Sequence, residues 1–293
     1  MGNTLLPLTG FWCAAAVVML FALGRVGCLS PRTFAGIPPR RTGLVALDLP
    51  IGFLVLLMSM LVASLVFGPY FPDSAPDSTS PSPTQPSALA FALAGLGAQI
   101  LAQGPLIAFI LITVRRQRGG LIQLGVFPTR LWRDIRYAMA GLFTVIILLP
   151  AVNLLVKLLA DQLGYQTPSV AHRLLEVMLT TDSPTAKAVM IGSAILIAPP
   201  LEELIYRGFV QTTLLDLLGP ARRWTTIFAA SVIFTLIHLG AVNIVALPVL
   251  YILAITLGWL YERTASLWPG ILVHALFNLV NVWMAMHMTG DTP

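Results

Sequence analysis

Long apolar runs separated by short polar connections organise this chain. They fall at residues 9–27, 50–68, 88–114, 135–158, 187–218, 224–240, 243–261 and 265–288. A helix needs roughly 20 apolar residues to cross the hydrocarbon of a bilayer, so the pattern predicts an all-α, polytopic membrane protein with about eight transmembrane helices. The run at 187–218 exceeds one crossing and predicts a helix that tilts, bends or extends past the bilayer. Before the fourth run, "GGLIQLGVFPTRLWRDIRY" mixes bulky apolar residues with arginines, the pattern of an amphipathic stretch lying on the membrane surface. The sequence "SVAHRLLEVMLT", between the fourth and fifth runs, predicts a short helix outside the membrane.

Composition agrees with the pattern. Hydrophobic residues make up 57% of the 293 and charged residues only 10%, against about 25% charged in a soluble domain; the mean hydropathy is +0.86. The net charge of +5 is not the footprint of a nucleic-acid binder, because the arginines fall in small clusters between apolar runs. Arg25, Arg32, Arg40 and Arg41 follow the first run, Arg115, Arg116, Arg118, Arg130 and Arg133 the third, Arg222 and Arg223 the fifth, and Arg263 the seventh. Counted along eight helices, all these clusters lie on one side, which the positive-inside rule assigns to the cytoplasm. Both termini then face out. The connection at 69–87 carries aspartate, proline and serine but no basic residue, and predicts a disordered external linker. Cys13 and Cys28 form neither a disulfide framework nor a metal-ligand spacing. The N-terminus lacks the basic region and cleavage pattern of a signal peptide, so the first run is expected to be a retained helix. The bilayer is the predicted environment, with a bacterial inner membrane a good fit to the arginine pattern; nothing in the sequence sets the oligomeric state.

Against this background a few polar groups stand out. "APPLEELIYRGFV" places Glu202, Glu203 and Arg207 inside the fifth run, the sixth ends with Phe234 and His238, and the eighth begins with His274 and Asn278. An ionisable side chain in hydrocarbon costs roughly 2.5 to 3.5 kcal/mol on insertion scales, so the cluster must face protein or water. Glu203 and Arg207, four apart on a helix, share a face and suit an ion pair, while Glu202 points about 100° away and is left for another partner. By rise per residue, Glu202 lies about 24 Å from the cytoplasmic end of its run, His238 about 21 Å into its own and His274 only about 14 Å into its own. A bend at Pro199-Pro200, a tilt, or a fifth run reaching past the bilayer would bring them level. Converged, a carboxylate and an imidazole activate water as a general base, and a second imidazole with a carboxamide stabilises the oxyanion of a tetrahedral intermediate. Serine, cysteine and aspartyl chemistry lack their characteristic residues here. Two blander readings use the same residues: interhelical hydrogen bonding in a non-catalytic immunity or scaffold protein, and a proton-binding site in a transporter, which would also call for paired broken helices in two matching halves.

These residues resemble the motifs of the intramembrane CPBP peptidases, the family of the eukaryotic CAAX prenyl endoproteases and of many bacterial proteins linked to bacteriocin processing or immunity (Abi). EExxxR is present as Glu202, Glu203 and Arg207, FxxxH as Phe234 and His238, and HxxxN as His274 and Asn278, in family order, over about residues 187–288. The resemblance implies a variable N-terminal membrane region at 1–180 and a protease core at 187–288, acting on a membrane-embedded or lipid-associated peptide or protein. It also implies that Glu202 activates water with His238, that His274 and Asn278 form the oxyanion site, and that Glu203, Arg207 and Phe234 support them. Some members of the family are described as metalloproteases, and Glu202, His238 and His274 would make a His2Glu zinc site. With no HExxH present and an asparagine beside the second histidine, the metal-free glutamate mechanism is favoured, with zinc the alternative cofactor.

Overall fold

The structure, a computed structural model, describes residues 2–38, 42–71, 86–116, 120–165 and 173–288. Every named element among them is helical. Helices α1 (Gly2–Arg25), α2 (Asp48–Phe67), α3 (Ala88–Arg115) and α4 (Leu131–Gln162) follow the first four apolar runs. The predicted external helix is α5 (Arg173–Thr180). The remaining helices are α6, continuous over Pro184–Leu218, α7 (Arg223–Ile237), α8 (Leu247–Thr264) and α9 (Trp268–Met288). Most of the predicted linker at 69–87, and the "SVAH" that precedes α5, lie outside the described residues.

Local signals set the helix ends. The Ser87 and Ser183 hydroxyls accept hydrogen bonds from the Ala90 and Ala186 backbone N–H groups and so cap α3 and α6. At the far end of α6, Gly219 adopts φ +90, a conformation that ordinary side chains disfavour, and the chain turns.

The count of spans needs one correction. Seven helices among the described residues are long and apolar enough to cross a membrane, and α7 is not one of them. The apolar run at 224–240 predicts a full span, but its helix holds 15 residues, about 22 Å against roughly 30 Å of hydrocarbon. The helix stops at His238, and a turn through Gly240 (φ +88) follows. Apolarity continued past the point where the backbone left the helix, which is why the run misled. Irregular backbone at this depth is tolerated where protein surrounds it.

The parity of crossings nevertheless survives. At the start of α7, the Arg223 guanidinium and the Trp224 indole donate to the Ile37 and Ser30 carbonyls, in the connection after α1. Beyond its end, the Asn243 amide reaches the Tyr165 hydroxyl, in the connection after α4. Helix and turn together therefore carry the chain from one end of the bundle to the other. The connection after α3 meets the α8–α9 turn, where the Leu267 N–H donates to the Gly125 carbonyl, and the Trp259 indole of α8 donates to the Cys28 carbonyl. The arginine-bearing connections thus gather at one end. Beside them, Ile122, Phe127, Leu131 and Trp132 are exposed among arginines, as an interfacial stretch requires.

Two apolar clusters flank α6 and α8. One joins Leu56 of α2, Leu106 and Ile110 of α3, Ile205 and Phe209 of α6 and Phe234 of α7. The other joins Val145 and Leu149 of α4, Leu253 and Leu257 of α8 and Val273 of α9. Helix α6 runs between its neighbours so completely enclosed that all seven residues from Ile205 to Gln211 are buried. Their burial all round the helix explains how Arg207 can be carried at the centre of an apolar bundle: every direction from α6 leads to protein.

Candidate active site

Helix α6 departs from α geometry on both sides of its carboxylates. It is π-wound over Ser193–Ile197 and again over Leu204–Gln211, with one α turn, Ala198–Glu203, between. Such π segments recur at functional sites, and here the sequence supplies a cause for the first. Pro199 and Pro200 have no N–H to give. The Ala198 N–H bonds to the Ser193 carbonyl, five residues back, so the next carbonyl in the same register, that of Ala194, faces Pro199 and finds no donor. Asn278 of α9 supplies it: Nδ2 donates to the Ala194 oxygen at 2.8 Å.

Glu203 and Arg207 form the ion pair their spacing predicts, with Arg207 Nε 3.2 Å from Glu203 Oε2 and both side chains almost wholly buried. The guanidinium also lies 3.4 Å from the Ala254 carbonyl of α8 and 4.8 Å from the centre of the Phe234 ring. Glu203 has a further partner that sequence spacing does not reveal. Its Oε1 lies 3.1 Å from His274 Nδ1. A carboxylate only accepts, so Nδ1 carries a proton and Nε2 is the nitrogen left for another partner.

His238 is oriented in the same way. Its Nδ1 lies 2.7 Å from the Phe234 carbonyl, one turn back on α7, and a carbonyl also only accepts. Both rings are thus held by Nδ1, and both Nε2 atoms face one atom, Glu202 Oε2, at 3.8 Å each. That spacing exceeds a direct hydrogen bond and suits a water shared between the groups. Glu202 Oε2 is itself buried without a hydrogen-bond partner. Phe234, fully buried, fixes the rings: its centre is 4.6 Å from that of His238 and 6.0 Å from that of His274.

The depths that differ in the sequence count meet in the structure. His238 sits at the end of a short helix, His274 only six residues beyond the start of α9, and α6 is long enough to bring Glu202 to both. Glu202, Glu203, Arg207, Phe234, His238 and His274 converge. Asn278 lies one turn beyond His274, with its amide directed to the Ala194 carbonyl. Gly270, unremarked in the sequence, makes the approach possible: a Cβ there would lie 2.9 Å from Glu203 Oε2. Arg223, assigned by pattern to the basic connections, is instead buried, 3.2 Å from the buried Glu262 carboxylate, which also accepts from Gln211 at 3.0 Å.

A zinc ion would need its protein donors about 2.0 to 2.2 Å from one point. Both histidine Nε2 atoms lie 3.8 Å from Glu202 Oε2, and among the described residues no group of three histidine, cysteine, aspartate or glutamate side chains is set as a metal site.

A family model described as Rce1-like, type II CAAX prenyl endopeptidase Rce1-like, matches residues 184–280. The segment spans α6 to α9 and contains every residue of the cluster. No curated protein and no solved structure matches the chain.

Proposed function

From the premise that residues 184–280 are an Rce1-like domain, consistent with the CPBP family and with intramembrane endopeptidase activity, we propose that Glu202 is the general base of peptide-bond hydrolysis inside the bundle. The observation that carries this reading is the convergence of His238 Nε2 and His274 Nε2 on the unpartnered Glu202 Oε2.

In the proposed reaction, a water held between Glu202 and His238 gives a proton to the Glu202 carboxylate as its oxygen attacks the scissile carbonyl. The carbonyl π electrons move to oxygen and form a tetrahedral oxyanion, which the second Nδ2 hydrogen of Asn278 and the Nε2–H of His274, in the form protonated at both ring nitrogens, stabilise by hydrogen bonding. Collapse of that intermediate breaks the C–N bond, and the proton held by Glu202 passes to the leaving nitrogen. Glu203 holds the tautomer and angle of His274, Arg207 neutralises Glu203, and Phe234 holds both rings. Donors placed where charge develops, in a site with little water, act far more strongly than they would in bulk solvent. No step is routed through a metal.

The substrate we propose is a membrane-embedded or lipid-associated peptide, because the cluster lies among helices that the bilayer would surround. The arginine-rich end of the bundle is assigned to the cytoplasm, which leaves both termini outside.

The test is cleavage of a library of lipidated and transmembrane peptides by the purified protein and its Glu202→Gln, Glu202→Ala and Glu203→Ala variants, with metal analysis of the same samples. Loss of cleavage in folded Glu202→Gln protein is expected. Wild-type rates in that variant would end the assignment of Glu202 as base.

A further inference from the structure

Two glutamines lie four residues apart on α3 and treat α6 differently. Gln99 is satisfied: the Ser193 hydroxyl donates to its Oε1 at 2.8 Å. Gln103 is not, because its Oε1 is buried without a hydrogen-bond partner. An unpaired buried amide oxygen costs roughly 1 to 3 kcal/mol, and inside a bilayer-spanning bundle water is scarce. Such a group calls for a partner that arrives from elsewhere.

Its level along the bundle indicates which partner. Helices α3 and α6 run in the same direction, since Gln99 meets Ser193 and, further along both helices, Leu106 lines an apolar cleft with Ile205 and Tyr206. Gln103 is about 6 Å past Gln99 and about 4.5 Å short of Leu106, which sets it beside the stretch of α6 between about 197 and 202. That stretch contains Pro199, Pro200 and Glu202.

We infer that Gln103 is a substrate-positioning residue whose Oε1 accepts a backbone N–H of the peptide being cleaved, beside the proline-broken turn of α6. An extended peptide entering the bundle carries N–H donors that must be satisfied, and Gln103 offers an acceptor at about the level of Glu202 along the bundle. The pairing forms only when substrate is present, which accounts for an acceptor kept vacant at a cost in the free protein. This inference rests on the proteolytic reading above.

The test combines a residue change with backbone N-methylation. The best-cleaved member of the peptide library is remade with each backbone N–H near the scissile bond methylated in turn, and each version is assayed with wild type, Gln103→Leu and Gln103→Met. Expected for the wild type is a loss of about tenfold in kcat/KM at one methylated position, about what one hydrogen bond supplies. Both Gln103 variants should cleave the parent peptide about tenfold more slowly and be indifferent to methylation at that position, with an unchanged or raised unfolding temperature. Gln99→Leu, which breaks a bond within the protein, should lower the unfolding temperature and keep the methylation pattern of the wild type. Unchanged cleavage in the folded Gln103 variants, or methylation losses that simply multiply with theirs, would overturn the inference and leave Glu202 untouched. Failure of the wild type to cleave any library member, or full activity in Glu202→Gln, would remove the proteolytic reading and this inference together.

Discussion

Glu203 accepts a hydrogen bond from His274 Nδ1 at 3.1 Å, and that contact turns His274 Nε2 towards Glu202. The adjacent carboxylates, about 100° apart on α6, grip one imidazole from two sides: Glu203 orients it through Nδ1 and Glu202 faces its Nε2. Their roles should separate under mutation. Glu203→Ala leaves the buried Arg207 without its counter-charge, which costs roughly 3 to 5 kcal/mol for a pair this deeply buried. Glu202→Gln replaces a carboxylate whose buried Oε2 makes no hydrogen bond, so its unfolding temperature should match or exceed that of the wild type while activity is lost. Unfolding in detergent, followed by circular dichroism, checks this; similar midpoints for the two variants would contradict it.

Gly270 is expected to be as sensitive as any charged residue of the site. A methyl group at this position would stand 2.9 Å from Glu203 Oε2, so Gly270→Ala must displace either α9 or the Glu203 carboxylate. Overpacking of this kind costs about 1 to 3 kcal/mol. Because the displaced group orients His274, kcat should fall by at least about tenfold with little change in KM, since misplaced catalytic groups lose rate rather than binding. Steady-state kinetics on the Ala and Ser variants would show it.

How much of this was legible beforehand depends on what each feature rests on. The apolar runs that became α2, α3 and α8 were readable because each crossing must be apolar over its whole length. The Glu203–Arg207 pair was readable because four residues make one turn. Helix α7 was misjudged in length because hydropathy does not register where the backbone leaves a helix, and Leu239 is as apolar as Ile237. The His274–Glu203 bond was out of reach: it joins residues 71 apart in sequence and follows from how α9 packs on α6, which Gly270 permits. Arg223 followed the charge pattern of a topological signal, yet it is a buried ion-pair partner, since counting arginines does not distinguish those that face solvent from those that face a carboxylate.

Asn278 donates to the Ala194 carbonyl and, in the proposed reaction, to the oxyanion, and a double change separates the two. In Asn278→Ala the Ala194 carbonyl loses its donor, for about 1 to 3 kcal/mol of stability. If Asn278 also stabilises the oxyanion, kcat falls about 10² to 10³-fold. Pro199→Ala gives residue 199 an N–H that can serve the Ala194 carbonyl within α6. Combined with Asn278→Ala it should therefore restore stability and leave activity low. Recovery of activity along with stability would mean that Asn278 acts only through the fold.

Chelators discriminate between the two cofactor readings. With no three-ligand cluster among the described residues and a carboxylate placed to act as base, cleavage by the purified protein should persist after treatment with EDTA or 1,10-phenanthroline. Elemental analysis should find no stoichiometric zinc in the active preparation. Activity abolished by the chelator and restored by zinc alone would reverse the assignment of Glu202, His238 and His274 from base, partner and oxyanion donor to metal ligands.

The arginine-bearing end of the bundle holds a second buried charge pair, and it should govern stability without touching the chemistry. Arg223 lies 3.2 Å from Glu262, while its guanidinium also donates to the Ile37 carbonyl at 2.6 Å. Gln211, three residues after Gly208 in the π-wound part of α6, donates to Glu262 and to the Gly258 carbonyl, both at 3.0 Å. One carboxylate thus ties α6, α7 and α8 to the connection that follows α1. Glu262→Ala removes a buried carboxylate partner of Arg223 and Gln211, and the expected loss is roughly 3 to 5 kcal/mol. Glu262→Gln keeps an oxygen for Gln211 and should cost less. Molecules that remain folded should cleave peptide at the wild-type rate, because Gln211 is about two and a half turns of helix from Glu202, about 14 Å along α6. Unfolding midpoints and cleavage rates normalised to folded protein test both halves, and a change in kcat at constant folded fraction would show that this end of the bundle is coupled to the site.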